Sequence, residues 1–213
     1  ARVPAAAAPT RPETQRLDLT ADWLRRAGPR AMLLLGGGAL SARGVAAAAR
    51  LAAATGARLA AENFNVRMAR GAGRPYLPKV PYVGAAAEAF LGDVEVLVLV
   101  ESRAPVNFFG YPGQRGTPVA AATHVLTLAA PGEAGVEALD ALCAGLRAPV
   151  PAAPPAVARP GMPTGSIDAQ SPAATLACCL PEGAVLCDEA ITTRTALYEG
   201  LSAAAPYDHL DLM

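Results

Sequence analysis

An α/β fold, a doubly wound parallel sheet with helices on both faces, is the architecture this sequence predicts. Three observations carry that expectation. Apolar runs, "AMLLL" at 31–35 and the "VLVLV" within "VEVLVLVE" at 94–101, have the length of strands and the composition of strands covered on both faces. Alanine-rich stretches of helical period separate such runs. Strand and helix then alternate along the chain, the order that lays parallel strands side by side under crossover helices.

Residues 1–16, "ARVPAAAAPTRPETQR", mix proline, alanine and scattered charge without a period and read as a linker. From Leu17 the pattern turns helical, with Leu17, Leu19, Trp23 and Leu24 placed to share a face. The strand at 31–35 runs into three glycines and Ser41, which is positioned to cap a helix reaching about Thr55, with Gly56 as its stop. "ARLAAE" at 57–62 reads as a second strand and is followed by an irregular Arg/Gly/Pro stretch and a helix at about 84–91. After the strand at 94–101 come "THVLTLA" at 123–129 and a helix near 133–146.

At 148–165 the composition changes to "APVPAAPPAVARPGMPTG", an extended proline-rich segment. Beyond it a helix at about 169–180, the strand "AVLCD" at 184–188 and a second helical segment begin a new α/β unit. The expected organisation is a linker at 1–16, a central Rossmann-like domain at 17–148, a linker at 149–165 and, at 166–213, the opening of a truncated second domain. One strand and two helices do not close a core.

Hydrophobic residues make up 53% of the 213 and charged residues 17%, a globular composition. Eighteen basic and 18 acidic residues cancel, so charge gives no reason to expect nucleic acid or an anionic membrane as partner. No apolar run reaches the roughly 20 residues that span a bilayer, and the start lacks the order of a signal peptide. A cytoplasmic location is the expectation. Cys143, Cys178, Cys179 and Cys187 form no C-x-x-C pair and only two histidines accompany them, so buried, reduced thiols are expected rather than a zinc site.

Four stretches are candidates for function. Gly36, Gly37 and Gly38 satisfy two glycines of a G-x-G-x-x-G dinucleotide fingerprint, but Ser41 stands at the third, while Glu62 lies about where a ribose-binding acid would. A tight strand-to-helix turn is the favoured reading. "ESRAPVNFFGYPGQRG" at 101–116 should emerge at the carboxyl edge of the sheet; Phe108, Phe109 and Tyr111 crowd it, and Pro112-Gly113 is a turn signal. Such aromatics suit a domain or subunit interface, with a loop folded on its own domain as the alternative. His124 and His209 stand in no recognisable catalytic order and read as structural. In "CDEAITTRTALYEG" at 187–200, Asp188 and Glu189 end a strand and Thr192, Thr193 and Thr195 follow in a turn or first helical turn, where hydroxyls and N–H groups suit a phosphate oxygen or a plain N-cap.

"LLLGGGALSARG", "ESRAPVNFFGYPGQRG" and "LPEGAVLCDEAITT" together resemble, in the same order, their counterparts in thiamine diphosphate-dependent enzymes, specifically acetolactate synthase large-subunit-like proteins, relatives of benzoylformate decarboxylase. The resemblance covers nearly all of residues 17–213. It implies three α/β domains in the parent protein: a pyrimidine-binding domain, a central domain and a diphosphate-binding domain. Residues 17–148 would be the central domain, which in some relatives holds FAD without using it for redox and in others is empty. FAD is possible here but not favoured. The tail would open the diphosphate domain, with Ala190, Ile191 and Thr192 at the position that touches the coenzyme diphosphate. No position matches the glutamate that activates the coenzyme, and the magnesium motif would lie beyond Met213.

The expected function is therefore that of a central-domain fragment of a thiamine diphosphate- and Mg2+-dependent 2-oxo acid decarboxylase or carboligase. The fragment, expected to be inactive alone, would work with the missing domains of the same polypeptide in a homodimer or homotetramer. One alternative is a self-sufficient Rossmann module holding NAD or FAD at Gly36, Gly37 and Gly38 with Glu62. Another is an oligomerisation protein using the aromatic loop.

Overall fold

The computed structural model describes residues 8–110, 112–150 and 158–211. In chain order the elements are α1 (Thr14–Ala27), β1 (Ala31–Leu35), α2 (Ala42–Thr55), β2 (Arg58–Ala61), β3 (Arg67–Arg70), α3 (Gly84–Leu91), β4 (Val96–Val100), β5 (His124–Ala129), α4 (Gly135–Gly145), α5 (Ser171–Cys179), β6 (Val185–Asp188), α6 (Arg194–Gly200) and β7 (Tyr207–Asp211).

Four strands form a parallel sheet in the order β2-β1-β4-β5. The two apolar runs occupy its centre, where every residue of β1 and β4 is buried. Alternation along each strand divides them between two faces. Leu33, Leu35, Val96 and Val98 pack with Leu51 of α2 and Leu139 of α4, whereas Met32, Leu34, Leu97 and Leu99 pack with Ala87 and Leu91 of α3. Covering both faces is what makes the sheet doubly wound, as the sequence predicts. The edge strand β5 departs from the expected all-apolar strand: its first two residues are exposed, and only Leu128 and Ala129 are fully buried.

Helix α1 buries Leu24 and packs Leu17 and Trp23 against the same core, but Leu19 is 48% exposed. Leu19 lies two residues from Leu17, about 200° around a helix, so it cannot share that face. Ser41 caps α2 as expected: its hydroxyl accepts from the Gly44 N–H at 3.3 Å, and Gly56 ends the helix with φ of 79°. Ser41→Ala should cost about 1 kcal/mol, read as a lower urea midpoint at unchanged slope; no shift would mean that the hydroxyl contributes nothing to capping.

A second sheet of three strands has the order β3-β7-β6, with β7 antiparallel to β3 and parallel to β6. Two of its strands come from 166–213 and one from the stretch at 62–83 that the sequence presents as irregular. Its apolar cluster joins Ala173, Ala177, Leu197, Leu201 and Tyr207. The cysteine expectation needs correction. Cys143 is buried, whereas Cys178 is half-buried and Cys179 and Cys187 are exposed, all four as thiols. The short helix α5 and the thin strand β6 have too little covering structure to bury every side chain.

Candidate functional site

The carboxyl edge of the four-stranded sheet gathers the glycine turn, Glu62 after β2 and Glu101 after β4. All three turn amides are spoken for. Gly36 N–H donates to the Val100 carbonyl at 2.9 Å, Gly37 N–H to the Glu62 carboxylate, and Gly38 N–H to Glu101 Oε2 at 2.8 Å. The other oxygen of Glu101 accepts from Gly135 N–H, the first residue of α4, at 3.1 Å. Glu62 Oε2 accepts from the Ser102 hydroxyl at 3.1 Å. Burial pushes the Glu62 carboxyl above its ordinary range, against the Ser102 and Gly37 hydrogen bonds and the Arg103 charge.

A side chain at these glycines would press on the carboxylates. A Cβ at Gly36 would stand 2.6 Å from Glu62 Oε1, one at Gly37 2.9 Å from Glu101 Oε2, and one at Gly135 2.5 Å from Glu101 Oε1. Glu101 itself has φ of 52°, a left-handed backbone that costs a non-glycine residue about 1–3 kcal/mol. The turn joins β1 to α2 as a tight strand-to-helix connection, and Gly36, Gly37, Gly38 and Gly135 all stand against two acidic side chains, Glu62 and Glu101.

Next to this edge, Phe64, Tyr82, Phe108 and Phe109 form a partly exposed aromatic cluster with ring centroids 5.0–5.9 Å apart. Phe64, Tyr82 and Phe108 wall a cavity of about 230 Å3 that also receives Glu62, Arg103 and Asn107. The loop is thus partly folded on its own domain while Phe108 and Phe109 stay 61% and 50% exposed. Tyr111 lies outside the described residues.

The third locus lies at the carboxyl ends of β6 and β7. Asp188 closes β6, and its Oδ1 accepts from Ala190 N–H at 2.8 Å, which fixes the turn leading to α6. Ile191 is 77% exposed and Thr192 is exposed, its hydroxyl without a protein partner among the described residues. Thr193 precedes α6 without a side-chain cap. Behind the turn lies a buried charged cluster that sequence reasoning missed. His209 Nε2 faces Asp188 Oδ2 at 3.2 Å, and Arg70 faces His209 Nδ1 at 3.4 Å, donates to the Tyr207 hydroxyl at 3.3 Å and to the Tyr198 carbonyl, and lies 3.6 Å over the Tyr198 ring. Asp211 accepts from Arg194 at 2.6 Å and from Lys79. The Asp211 carboxyl, pushed up by burial, is held below its ordinary range by its pairs with Lys79 and Arg194, which outweigh that burial.

Burial, reinforced by Arg70 and Lys79, lowers the pKa of His209 to about 4. His209 is therefore neutral near pH 7. His124 packs against the Trp23 ring with centroids 4.6 Å apart. The sequence carries the cluster only as charge inside two short segments, "RMAR" in the irregular stretch and "YDHLD" around His209.

No family model matches the chain. Over 188 residues it is 42% identical to IlvX of Mycobacterium tuberculosis, an acetolactate synthase large-subunit-like protein, covering 88% of this chain. This chain is a relative of the acetolactate synthase large-subunit-like proteins. It spans 36% of the length of that curated relative. Two solved structures share the fold of this acetolactate synthase-like chain over 99% of its length. One is the thiamine diphosphate-dependent 4-hydroxybenzoylformate decarboxylase of Rhodococcus jostii RHA1, with a TM-score of 0.69, 15% identity and 42% of its length covered. The other is a Mycobacterium smegmatis protein assigned to the thiamin diphosphate-dependent enzymes, with a TM-score of 0.66, 22% identity and 44% of its length covered.

The acetolactate synthase-like chain fits the diphosphate of thiamine diphosphate only in part. Thr192 and Ile191 offer an outward-facing polar and apolar edge, whereas the Ala190 N–H is already used by Asp188. Among the described residues no group of three or more His, Cys, Asp or Glu side chains could hold a metal ion. No helix among the described residues is long and apolar enough to cross a membrane.

Proposed function

We propose that this chain is the central part of a thiamine diphosphate-dependent enzyme that decarboxylates a 2-oxo acid or ligates the product, a lyase or transferase. The observation that carries the proposal is the 42% identity to an acetolactate synthase large-subunit-like protein over 188 residues. In this reading residues 17–148 are the central domain, 1–16 and 149–165 are linkers, and 166–213 open the diphosphate-binding domain. The rest of the coenzyme site, including the magnesium ligands, comes from other domains of the same polypeptide, and the chain alone is inactive. The part played by the tail is supported by the exposed turn at 190–192 and by the share of the relative's length that the chain spans.

Thiamine diphosphate, when bound, supplies the nucleophile and electron sink for such chemistry. What this chain contributes is positioning. The Asp188 carboxylate, held by His209 and by the Ala190 N–H, keeps the turn in one shape, and the Thr192 hydroxyl can donate to a phosphate oxygen. The exposed Phe108 and Phe109 suit a contact with another domain or subunit of a cytoplasmic dimer or tetramer.

Two measurements test the reading. Calorimetric titration of the purified chain with thiamine diphosphate and Mg2+ should give no binding heat, and the chain should release no CO2 from 2-oxo acids. Joined to the remainder of its reading frame, it should show coenzyme-dependent CO2 release, and Thr192→Val should then weaken thiamine diphosphate about tenfold or more, the worth of one hydrogen bond to a charged group at about 1.5 kcal/mol or above. Activity of the chain alone, or unaltered affinity in the variant, would refute the corresponding part.

A further inference from the structure

We infer that Glu101 is a built-in occupant of the anion-binding place at the edge of the parallel sheet, and that this single residue decides that the central domain refuses dinucleotides. In doubly wound sheets a ligand pyrophosphate is received at the carboxyl edge by a glycine turn and a helix N-terminus. Here both are present and both are already bound to an anion of the chain itself. Glu101 spans them, with one oxygen on Gly38 N–H at 2.8 Å and the other on Gly135 N–H at the start of α4 at 3.1 Å. The two remaining glycine amides are taken by the Val100 carbonyl and the Glu62 carboxylate.

A bound pyrophosphate would meet no unsatisfied donor in the turn and two carboxylates beside it, so charge and hydrogen bonding oppose it together. The backbone of Glu101 gives a second, independent sign. Its φ of 52° is a conformation that glycine adopts without cost, and only a compensating interaction keeps a glutamate in it. A methyl group at Gly36, Gly37 or Gly135 would meet one of these carboxylates at 2.5–2.9 Å, and at Gly36 also the Glu101 carbonyl at 2.6 Å, so a side chain or the backbone would have to shift. FAD, which the family resemblance leaves possible, does not fit this edge. The inference concerns the four-stranded sheet alone and stands or falls separately from the thiamine diphosphate reading.

The test compares the 213-residue chain with its Glu101→Gly variant, in which the Gly38 N–H is released, the Gly135 N–H keeps only its bond to the Glu133 carbonyl at 3.0 Å, a negative charge is lost and the backbone strain disappears. The unmodified chain should give no binding heat with FAD, ADP or inorganic pyrophosphate at millimolar concentration. The variant should bind inorganic pyrophosphate at least tenfold more tightly. If Glu101→Gly does not fold, Glu101→Gln keeps the shape and removes the charge, and its melting temperature should rise with pyrophosphate while that of the unmodified chain does not. Micromolar FAD or ADP binding by the unmodified chain overturns the inference. So does a folded Glu101→Gly variant as silent as its parent, or an equal thermal response of the parent and Glu101→Gln.

Discussion

Replacing Asp211 by alanine should lower the stability of this chain by about 3–5 kcal/mol, the usual cost of removing one partner from a buried ion pair. Asp211 has a side chain only 3% exposed, and it holds two cations, Lys79 with 12% and Arg194 with 19% side-chain exposure. Without it one ammonium and one guanidinium charge remain in a low-dielectric space near Arg70. Burial already drives the Lys79 ammonium below its ordinary pKa, so part of the loss should be recovered at alkaline pH, where the lysine can deprotonate. Asp211→Asn, which keeps an acceptor but no charge, should lose less. Urea unfolding with an unchanged slope measures the effect, and a loss below about 1 kcal/mol for the alanine variant would show that the pairs are as weak as surface ion pairs.

Acidification should cost stability through His209. Its pKa is about 4 in the folded chain because of burial and of the Arg70 and Lys79 charges, which outweigh the attraction of Asp188 and Asp211; the Tyr198 and Tyr207 rings complete its surroundings. The unfolded chain, with an ordinary value near 6.5, takes up the proton first. Stability is therefore full above about pH 6.5, falls as pH drops, and the loss is complete below about 4, amounting to about 3 kcal/mol at most. Glu62 acts with the opposite sign, since its folded pKa is raised and acid favours its buried neutral form. The comparison with His209→Gln isolates the histidine: the difference between the two stability profiles should narrow steadily from pH 7 to pH 4. Parallel profiles over that range would refute the assignment.

These two expectations concern the part of the molecule that was least legible beforehand. β1 and β4 announced themselves because both of their faces are covered, so every residue is apolar and no partner needs to be known. The cap at Ser41 and the stop at Gly56 are equally local, since they depend on residues within one helical turn. β3 and β7 carried no such mark. "RMAR" and "YDHLD" are half charged, yet Arg70, His209 and Asp211 are buried. Arg70 is buried because β7 brings Tyr207 and His209 to it from more than 100 residues away, and Asp211 because Lys79 and Arg194, from outside both strands, reach it. Leu19 failed for a simpler reason, helical geometry, and the exposed cysteines because two short elements leave them uncovered.

The glycine turn divides in the same way. Its place between a buried strand and a helix, and its lack of the third fingerprint glycine, can be read from residues 31–44 alone, because strand burial, capping and turn chemistry are short-range properties. Why three glycines stand there is a question about residues 62, 101 and 135, which meet the turn only once the sheet is assembled. Periodicity and family resemblance thus settled the α/β class and the kinship. The charges that the fold buries, and the anion that fills the sheet edge, were decided by long-range pairing, because a charge is admitted to a protein interior only where its partner is also brought there.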